Sequence, residues 1–384
     1  MIRRLLLIAA LITICIGAMA QSDSGHLRIS LLTCGTGEEI YETFGHTAVR
    51  ITDSSKGTDN VYNYGTFDGY TENFELKFMR GKLLYYVSVY PYNIFLDEYV
   101  EYHRSVEEQV LLANAKEKQE IYAYLENNAL EENKYYKYDF FFDNCATRIR
   151  DIFPNALGSK FQYGNVLPQG HQLTFRDIMD QYFYRVHWER LGCDILLGSR
   201  IDKVMTNEDI MFLPDYLRNG LAGAKVDGKP IATPRQLIVP GSEFKPAGLN
   251  QPFVLMVVIA LLTALGLAYR PLRIMGSIMS FLVLFITGIL GCLMLVMWFA
   301  TDHQGCQNNF NILWALPTNL LFAFVNKQHK SRYAIIGIAL VIVSLILHVA
   351  HVQALPLLEL SPLLLALLFI YASIYRRSKK LNAS

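Results

Sequence analysis

Charge is what the second half of this chain lacks. Nearly all charged residues among its 384 lie before Lys245, and beyond that point the sequence reads as long apolar runs. A formal net charge of +1 supplies no basic surplus of the kind that nucleic-acid binding requires, so no nucleic acid is expected. There is no G-x-S-x-G nucleophile elbow and no glycine-rich phosphate loop, and His103, His171 and His187 are scattered without metal-ligand spacing. No metal and no cofactor are therefore expected. Internal repeats and low-complexity tracts are absent too. The asymmetry of charge implies two domains, one aqueous and one in lipid.

The chain opens with MIRRLLLIAALITICIGAMAQ. Arg3 and Arg4 form a basic start, Leu5 to Ile16 an apolar core, and Ala18-Met19-Ala20 a small-residue cleavage signature: a secretory signal over residues 1–20, cut before Gln21. The competing reading is an uncleaved first membrane helix. Both send the following domain across the membrane. Cys15 is no lipobox cysteine, because bulky Ile14 precedes it.

Five apolar stretches follow Asn250: Pro252 to Tyr269, Ile274 to Ala300, Phe310 to Val325, Tyr333 to Val352 and Ala354 to Tyr375. Most reach the ~20 residues that cross a hydrocarbon core. The third carries Pro317 and Asn319, and the fifth Glu359 and Pro362. Arg270 and Arg273, then Lys327, Lys330 and Arg332, then Arg376, Arg377, Lys379 and Lys380 fall in alternate loops, and the other loops have no Lys or Arg. Positive residues stay inside. Five spans over residues 251–375 thus place residues 21–250 in the periplasm and the tail, 376–384, in the cytoplasm, with the inner membrane as host. The outer loop after the second span is unusually polar, with Asp302, His303, Gln304, Asn308 and Asn309, followed by Asn311 and Trp314.

The exported part reads as α+β with an antiparallel sheet. HLRISLLTCG, HTAVRIT, VYNYG and LLYYVSVYPY are strands, the second and third a hairpin around DSSKGTDN. Glu72 to Met79 suggests a short helix, and Glu107 to Asn128 a longer one. YKYDFFFDNCATRIRDIF combines an aromatic strand with a helix ending near Pro154, and Lys225 to Lys245 leads the chain to the membrane.

Cys145 is the foremost candidate for chemistry. Asp143 or Asn144 caps the helix, so the thiol falls in its first turn, where partial positive charge and free N–H groups favour a thiolate and offer an oxyanion site. The competing readings are a buried inert thiol and a disulfide with Cys34 or Cys193, the other two cysteines of the exported part. His46, after Gly45 at the start of a strand, is the candidate base. A third group should orient the imidazole from the neighbouring strand: Asn63 is the first choice, with Tyr64 and Asp68 as rivals.

FGHTAVRI…VYNYGTFD and YDFFFDNCATRIRD together resemble the N-terminal periplasmic domain of the Bacteroidota-type lipoprotein N-acyltransferases, Lnb, and Thr301, His303, Asn309 and Asn311 resemble elements of that family's membrane region. A more distant likeness is to circularly permuted papain-like enzymes of the lecithin:retinol acyltransferase type, in which the His-bearing strand precedes an Asn-Cys helix start, as His46 precedes Asn144-Cys145 here. The resemblance implies a permuted papain-like domain followed by an all-α membrane bundle. It implies an acyl chain passing from a phospholipid through a Cys145 thioester, with His46 as base, to the α-amine of a diacylated lipoprotein. The second histidine that such enzymes often carry on the next strand is missing, and Asn63 or Tyr64 stands nearby instead. Asn144 and Arg148 beside the thiol, and His303 and Asn309 in the outer loop, are the candidates for substrate contact. A periplasmic thiol hydrolase, amidase or peptidase, and a non-catalytic envelope assembly factor are the alternative classes.

Overall fold

The computed structural model describes residues 25–168, 170, 172–242, 247–324 and 330–381. The signal segment lies outside them. Within the described residues the chain divides into two compact units. The first gathers those of Met1–Glu72, Leu83–His171 and Thr206–Phe244, the second those of Asn73–Lys82, Gln172–Met205 and Lys245–Ser384.

The first unit is built on strands β1 (Leu27–Cys34), β2 (His46–Asp53), β3 (Thr58–Phe67), β4 (Leu84–Pro91), β5 (Val106–Val110), β6 (Tyr135–Lys137) and β10 (Gln236–Val239), in spatial order β10-β5-β1-β2-β3-β4-β6. Every neighbouring pair is antiparallel. A small second sheet joins β7 (Phe161–Gln162), β8 (Lys225–Val226) and β9 (Lys229–Pro230). Both faces of the large sheet are covered, which is why its central strands are apolar at successive positions. Ile29, Leu31, Val49, Ile51, Tyr62 and Tyr64 pack with Ile121 and Leu125 of the helix Ala115–Ala129 and with Ile149, Ile152 and Phe153 of the helix Cys145–Leu157. On the opposite face Leu32, Cys34, Ala48 and Val61 pack with Phe95 and Tyr99 of the helix Tyr92–Glu101.

The helices are numbered along the chain: α1 (Phe74–Met79), α2 (Tyr92–Glu101), α3 (Ala115–Ala129), α4 (Cys145–Leu157), α5 (Phe175–Tyr182), α6 (His187–Leu196), α7 (Pro214–Ala222), α8 (Gln251–Ala268), α9 (Arg273–Phe299), α10 (Asn319–Phe322), α11 (Lys330–Val349) and α12 (Leu357–Leu381). The helix expected over Glu107–Asn128 starts later than the sequence suggests. Residues 106–110 are β5, whose buried Glu108 pairs with Arg28 and Arg50. The helix begins where Asn114 and Glu117 cap each other's backbone N–H groups. The expected stop near Pro154 is likewise displaced, because α4 runs on to Leu157. Proline leaves the carbonyl four residues back without its helical donor, and here the Arg150 carbonyl accepts from the Tyr163 hydroxyl instead, at 2.7 Å. The stretch from Lys225, expected as a mere lead to the membrane, supplies β8, β9 and the edge strand β10.

In the second unit four helices among the described residues are long and apolar enough to cross a membrane: Gln251–Ala268, Arg270–Phe299, Ser331–Val349 and Leu357–Lys379. The third expected span, Phe310 to Val325, is not a continuous helix. Its described part holds a 3₁₀ turn, Phe310–Leu313, and the short α10. Pro317 accounts for the break, since it cannot donate to a preceding carbonyl. The broken segment still runs antiparallel along α9. Gly291 faces the backbone of Ala315 and Pro317, Gly288 that of Leu320, and the Phe324 ring meets Phe285 and Phe281 at 5.9 and 5.2 Å. Irregular backbone at membrane depth is tolerated only inside protein, and here the side-chain oxygens of Gln353 and Asn309 accept from the N–H groups of Phe310 at 2.7 Å and Asn311 at 3.0 Å. The Asn319 oxygen accepts from the hydroxyls of Tyr333 at 2.6 Å and Tyr371 at 2.8 Å, while its nitrogen donates to Thr287 at 3.1 Å. In α12, Glu359 is buried and held by Arg190 and Asn250, and Pro362 does not interrupt the helix.

Candidate active site

Cys145 is the first residue of α4, and the sequence sets it there by capping. Asn144 is extended; its side-chain oxygen accepts from Thr147 N–H at 2.9 Å, and the Thr147 hydroxyl accepts from Asn144 N–H at 2.7 Å. The Asn144 amide nitrogen donates to the carbonyls of Phe140 (2.7 Å) and Phe212 (2.9 Å), which ties the helix start to the loops on either side. Asn144 thus serves as the buried cap, with its amide engaged inside the protein.

His46 opens β2. Gly45 before it has φ +74°, and a Cβ there would lie 2.6 Å from the Cys34 carbonyl oxygen, so only glycine makes this entry without strain. The hairpin register sets Val49 opposite Tyr62. Asn63 therefore stands diagonally from His46 on the same sheet face, within reach of a long side chain. The imidazole Nε2 is 2.5 Å from Asn63 Oδ1, and Asn63 Nδ2 donates to the Tyr90 hydroxyl on β4 at 3.0 Å. With the amide in this orientation its oxygen accepts, so the Nε2 that faces it carries the hydrogen.

The thiol and the imidazole are close enough to couple electrostatically. A Cβ at Gly65 would lie 3.9 Å from both Cys145 Cβ and His46 Cε1, so this glycine, with φ +95° at an irregularity in the β3–β4 pairing, keeps the space over the pair open. Burial pushes the Cys145 thiol up, but the His46 charge and hydrogen bond, with the backbone N–H groups of Thr47 and Ala146, outweigh it and hold the thiol below its ordinary range. For His46, burial lowers basicity; the charge on Cys145 and the hydrogen bonds to Cys145 and Asn63 raise it overall. The two groups stabilise each other's ionised forms.

The described cysteines are all free thiols, which disposes of the disulfide reading. Cys34, opposite His46 in the β1–β2 register, is pushed up to about 12 by burial, and so is Cys193. Of Asn63's rivals, Tyr64 is buried in the core and Asp68 accepts from Tyr70 N–H in an exposed turn. Arg148 forms a bidentate ion pair with Asp143 and stacks 4.1 Å over the Tyr136 ring. His303 and Asn309 belong to the second unit. His303 Nε2 lies 3.1 Å from the Met79 carbonyl oxygen. Asn309 is fully buried, donating to the carbonyls of Ile195 and Leu196 and accepting from Asn311 N–H and Gln353 Nε2. It closes the loop after α9 onto the end of α6. Tyr90 and Gly65 were not singled out in the sequence. Only the register of two strand pairs brings a tyrosine hydroxyl to Asn63, and no local pattern announces it.

A helix-borne thiol, a strand-borne imidazole and an amide behind it, followed by apolar helices of spanning length, define a membrane protein with a periplasmic thiol-bearing α+β domain. Two family descriptions match the chain, the Lnb N-terminal periplasmic domain over residues 18–181 and the Lnb transmembrane domain over residues 242–381. Together they cover most of it, and the chain belongs to the Lnb family, whose domains fit a lipoprotein-modifying membrane protein. No curated protein and no solved structure matches the chain.

Proposed function

We propose that this protein is a lipoprotein N-acyltransferase of the bacterial inner membrane, with Cys145 as nucleophile, His46 as base and Asn63 orienting the imidazole. The observation that carries the reading is a thiol at the start of a helix, electrostatically coupled to an imidazole that Asn63 holds from behind, in a chain with apolar spans. The Cys145 thiolate attacks an ester carbonyl of a phospholipid. N–H groups at the α4 N-terminus stabilise the oxyanion. His46 gives its proton to the departing lysophospholipid oxygen as the tetrahedral species collapses to a thioester. The neutral α-amine of a diacylglyceryl-cysteine lipoprotein then attacks the thioester, His46 takes the amine proton, and the thiolate leaves with the amide formed. An α-amine has an ordinary pKa of ≈ 7.7–8.0, so a useful neutral fraction exists near neutral pH.

The membrane region supports the substrate assignment, because donor and acceptor are both lipids. Loop charge supports the topology. With the broken segment before α11 counted as a crossing, Arg270 and Arg273, Arg332, and Arg376, Arg377 and Lys379 all fall on one side, which the positive-inside rule makes cytoplasmic. With four crossings alone, the basic end of α12 would emerge on the periplasmic side. Arg148, held beside the helix start, and His303, on the outer loop, are the side chains proposed to meet polar parts of the substrates. A thioester is the specific intermediate of this reading. Purified protein incubated with phospholipid and no acceptor should carry one acyl chain, labile to hydroxylamine, on the Cys145 peptide. An acyl group on another residue, or none with turnover intact, would overturn the assignment.

A further inference from the structure

We propose that residues 73–82, within the connection between β3 and β4, form a membrane-interface element that rests on phospholipid headgroups beside the Phe299 end of α9. These residues belong to the second unit, with the apolar helices, although both flanking strands belong to the first. Its short helix α1 presents Leu76, Phe78 and Met79 outward, at 51%, 53% and 58% exposure. Three neighbouring large apolar side chains displayed this way are costly in water, at about 25 cal/mol for each Å² left wet. Basic residues interleave with them: Lys77 within the helix, and the exposed Arg80 and Lys82 after it.

The height of this segment is set by three contacts. Asp302 N–H donates to the Arg80 carbonyl at 2.9 Å, and His303 Nε2 lies 3.1 Å from the Met79 carbonyl oxygen. Gly81, with φ +65°, lets the two backbones meet, since a Cβ there would lie 3.2 Å from His303 N. Asp302 and His303 follow closely on Phe299, the last residue of α9, whose ring is 71% exposed and stacks on Trp298 at 4.7 Å. An aromatic pair at the end of an apolar span marks the headgroup level. Met79 and Arg80 are therefore held within roughly one helical turn, ~5 Å, of the place where the lipid-facing surface of α9 ends. Apolar side chains at that level enter the acyl boundary, and Lys and Arg beside them extend to the phosphates. The chemistry fits a bilayer surface better than an aqueous partner, because the patch is held beside the exposed aromatic end of an apolar span.

The test reads depth, not activity, so it stands apart from the acyl-transfer reading. Full-length protein with Phe78→Trp is placed in phosphatidylcholine–phosphatidylglycerol vesicles, and its emission is taken as the difference from the parent, which has Trp188, Trp298 and Trp314. Lys116→Trp, on an exposed stretch of α3, serves as the aqueous reference. The added tryptophan at 78 should be blue-shifted, quenched by lipids brominated at shallow acyl positions, and protected from iodide, with the reference showing the reverse. The same result is expected in a Cys145→Ser background. Iodide quenching at 78 equal to the reference would overturn the proposal, and so would protection from both quenchers, which would mean that protein covers the patch.

Discussion

His46 Nε2 and Asn63 Oδ1 are 2.5 Å apart across two adjacent strands, and the Tyr90 hydroxyl on a third strand holds the other end of the same amide at 3.0 Å. The imidazole that faces Cys145 is therefore positioned by the sheet itself, while the thiol is positioned by the cap of α4. Two independent local structures bring the thiol and the imidazole together.

The ionisation of this pair gives the first prediction. Cys145 lies below its ordinary value of 9.0 and His46 above its ordinary 6.5. Both shifts favour the thiolate–imidazolium form, since the thiolate persists to lower pH and the imidazolium to higher pH than in the free groups. Alkylation of Cys145 by a neutral thiol reagent should titrate with a midpoint below 9.0, and His46→Ala should move that midpoint upward, because burial is then opposed only by the backbone N–H groups of Thr47 and Ala146. A wild-type midpoint at or above 9.0 would contradict the ion pair. Cys34→Ala and Cys193→Ala should keep activity, since burial holds both thiols neutral.

The second prediction concerns orientation. Asn63→Ala should lower kcat by about 100-fold through a misplaced imidazole, leaving KM for phospholipid nearly unchanged. Tyr90→Phe removes one neutral hydrogen bond, worth about 1 kcal/mol, and should cost roughly fivefold. Equal losses from both, or an effect confined to KM, would argue that Asn63 contacts substrate instead of positioning His46.

How much of this was legible in the sequence follows from the range of each interaction. The Asn144-Cys145 helix start was readable because capping involves residues three apart, and the strands around His46 because alternation is local. Asn63 could be named but not separated from Tyr64 and Asp68, since hairpin register depends on the pairing Val49–Tyr62, which no short window contains. Tyr90 was out of reach for the same reason one strand further on. The third span read as a helix because its composition is apolar. What breaks it is Pro317, and what anchors the broken segment is the distant set Thr287, Tyr333 and Tyr371 around Asn319. Asn309 attracted notice as a polar group in an apolar region, and it proves to be spent on the carbonyls of Ile195 and Leu196, more than a hundred residues earlier.

Topology gives the third prediction. Reporters fused after Asn250 and within residues 303–308 should report periplasm, and reporters after Arg270 and Ser384 should report cytoplasm. A periplasmic signal from the C-terminal fusion would mean that the broken segment along α9 does not cross, and the topology proposed here would fail.

The central claim is acyl transfer to lipoproteins through Cys145, and mass spectrometry of lipoprotein N-terminal peptides tests it most directly. The peptides come from cells lacking this protein and complemented with the wild type or with Cys145→Ser, in a strain without a second N-acylating enzyme. Both proteins must be present at equal levels in the membrane. The account predicts triacylated peptides with the wild type and diacylated peptides with the variant, a loss of several orders of magnitude in rate. Triacylated peptides in the Cys145→Ser cells would contradict it.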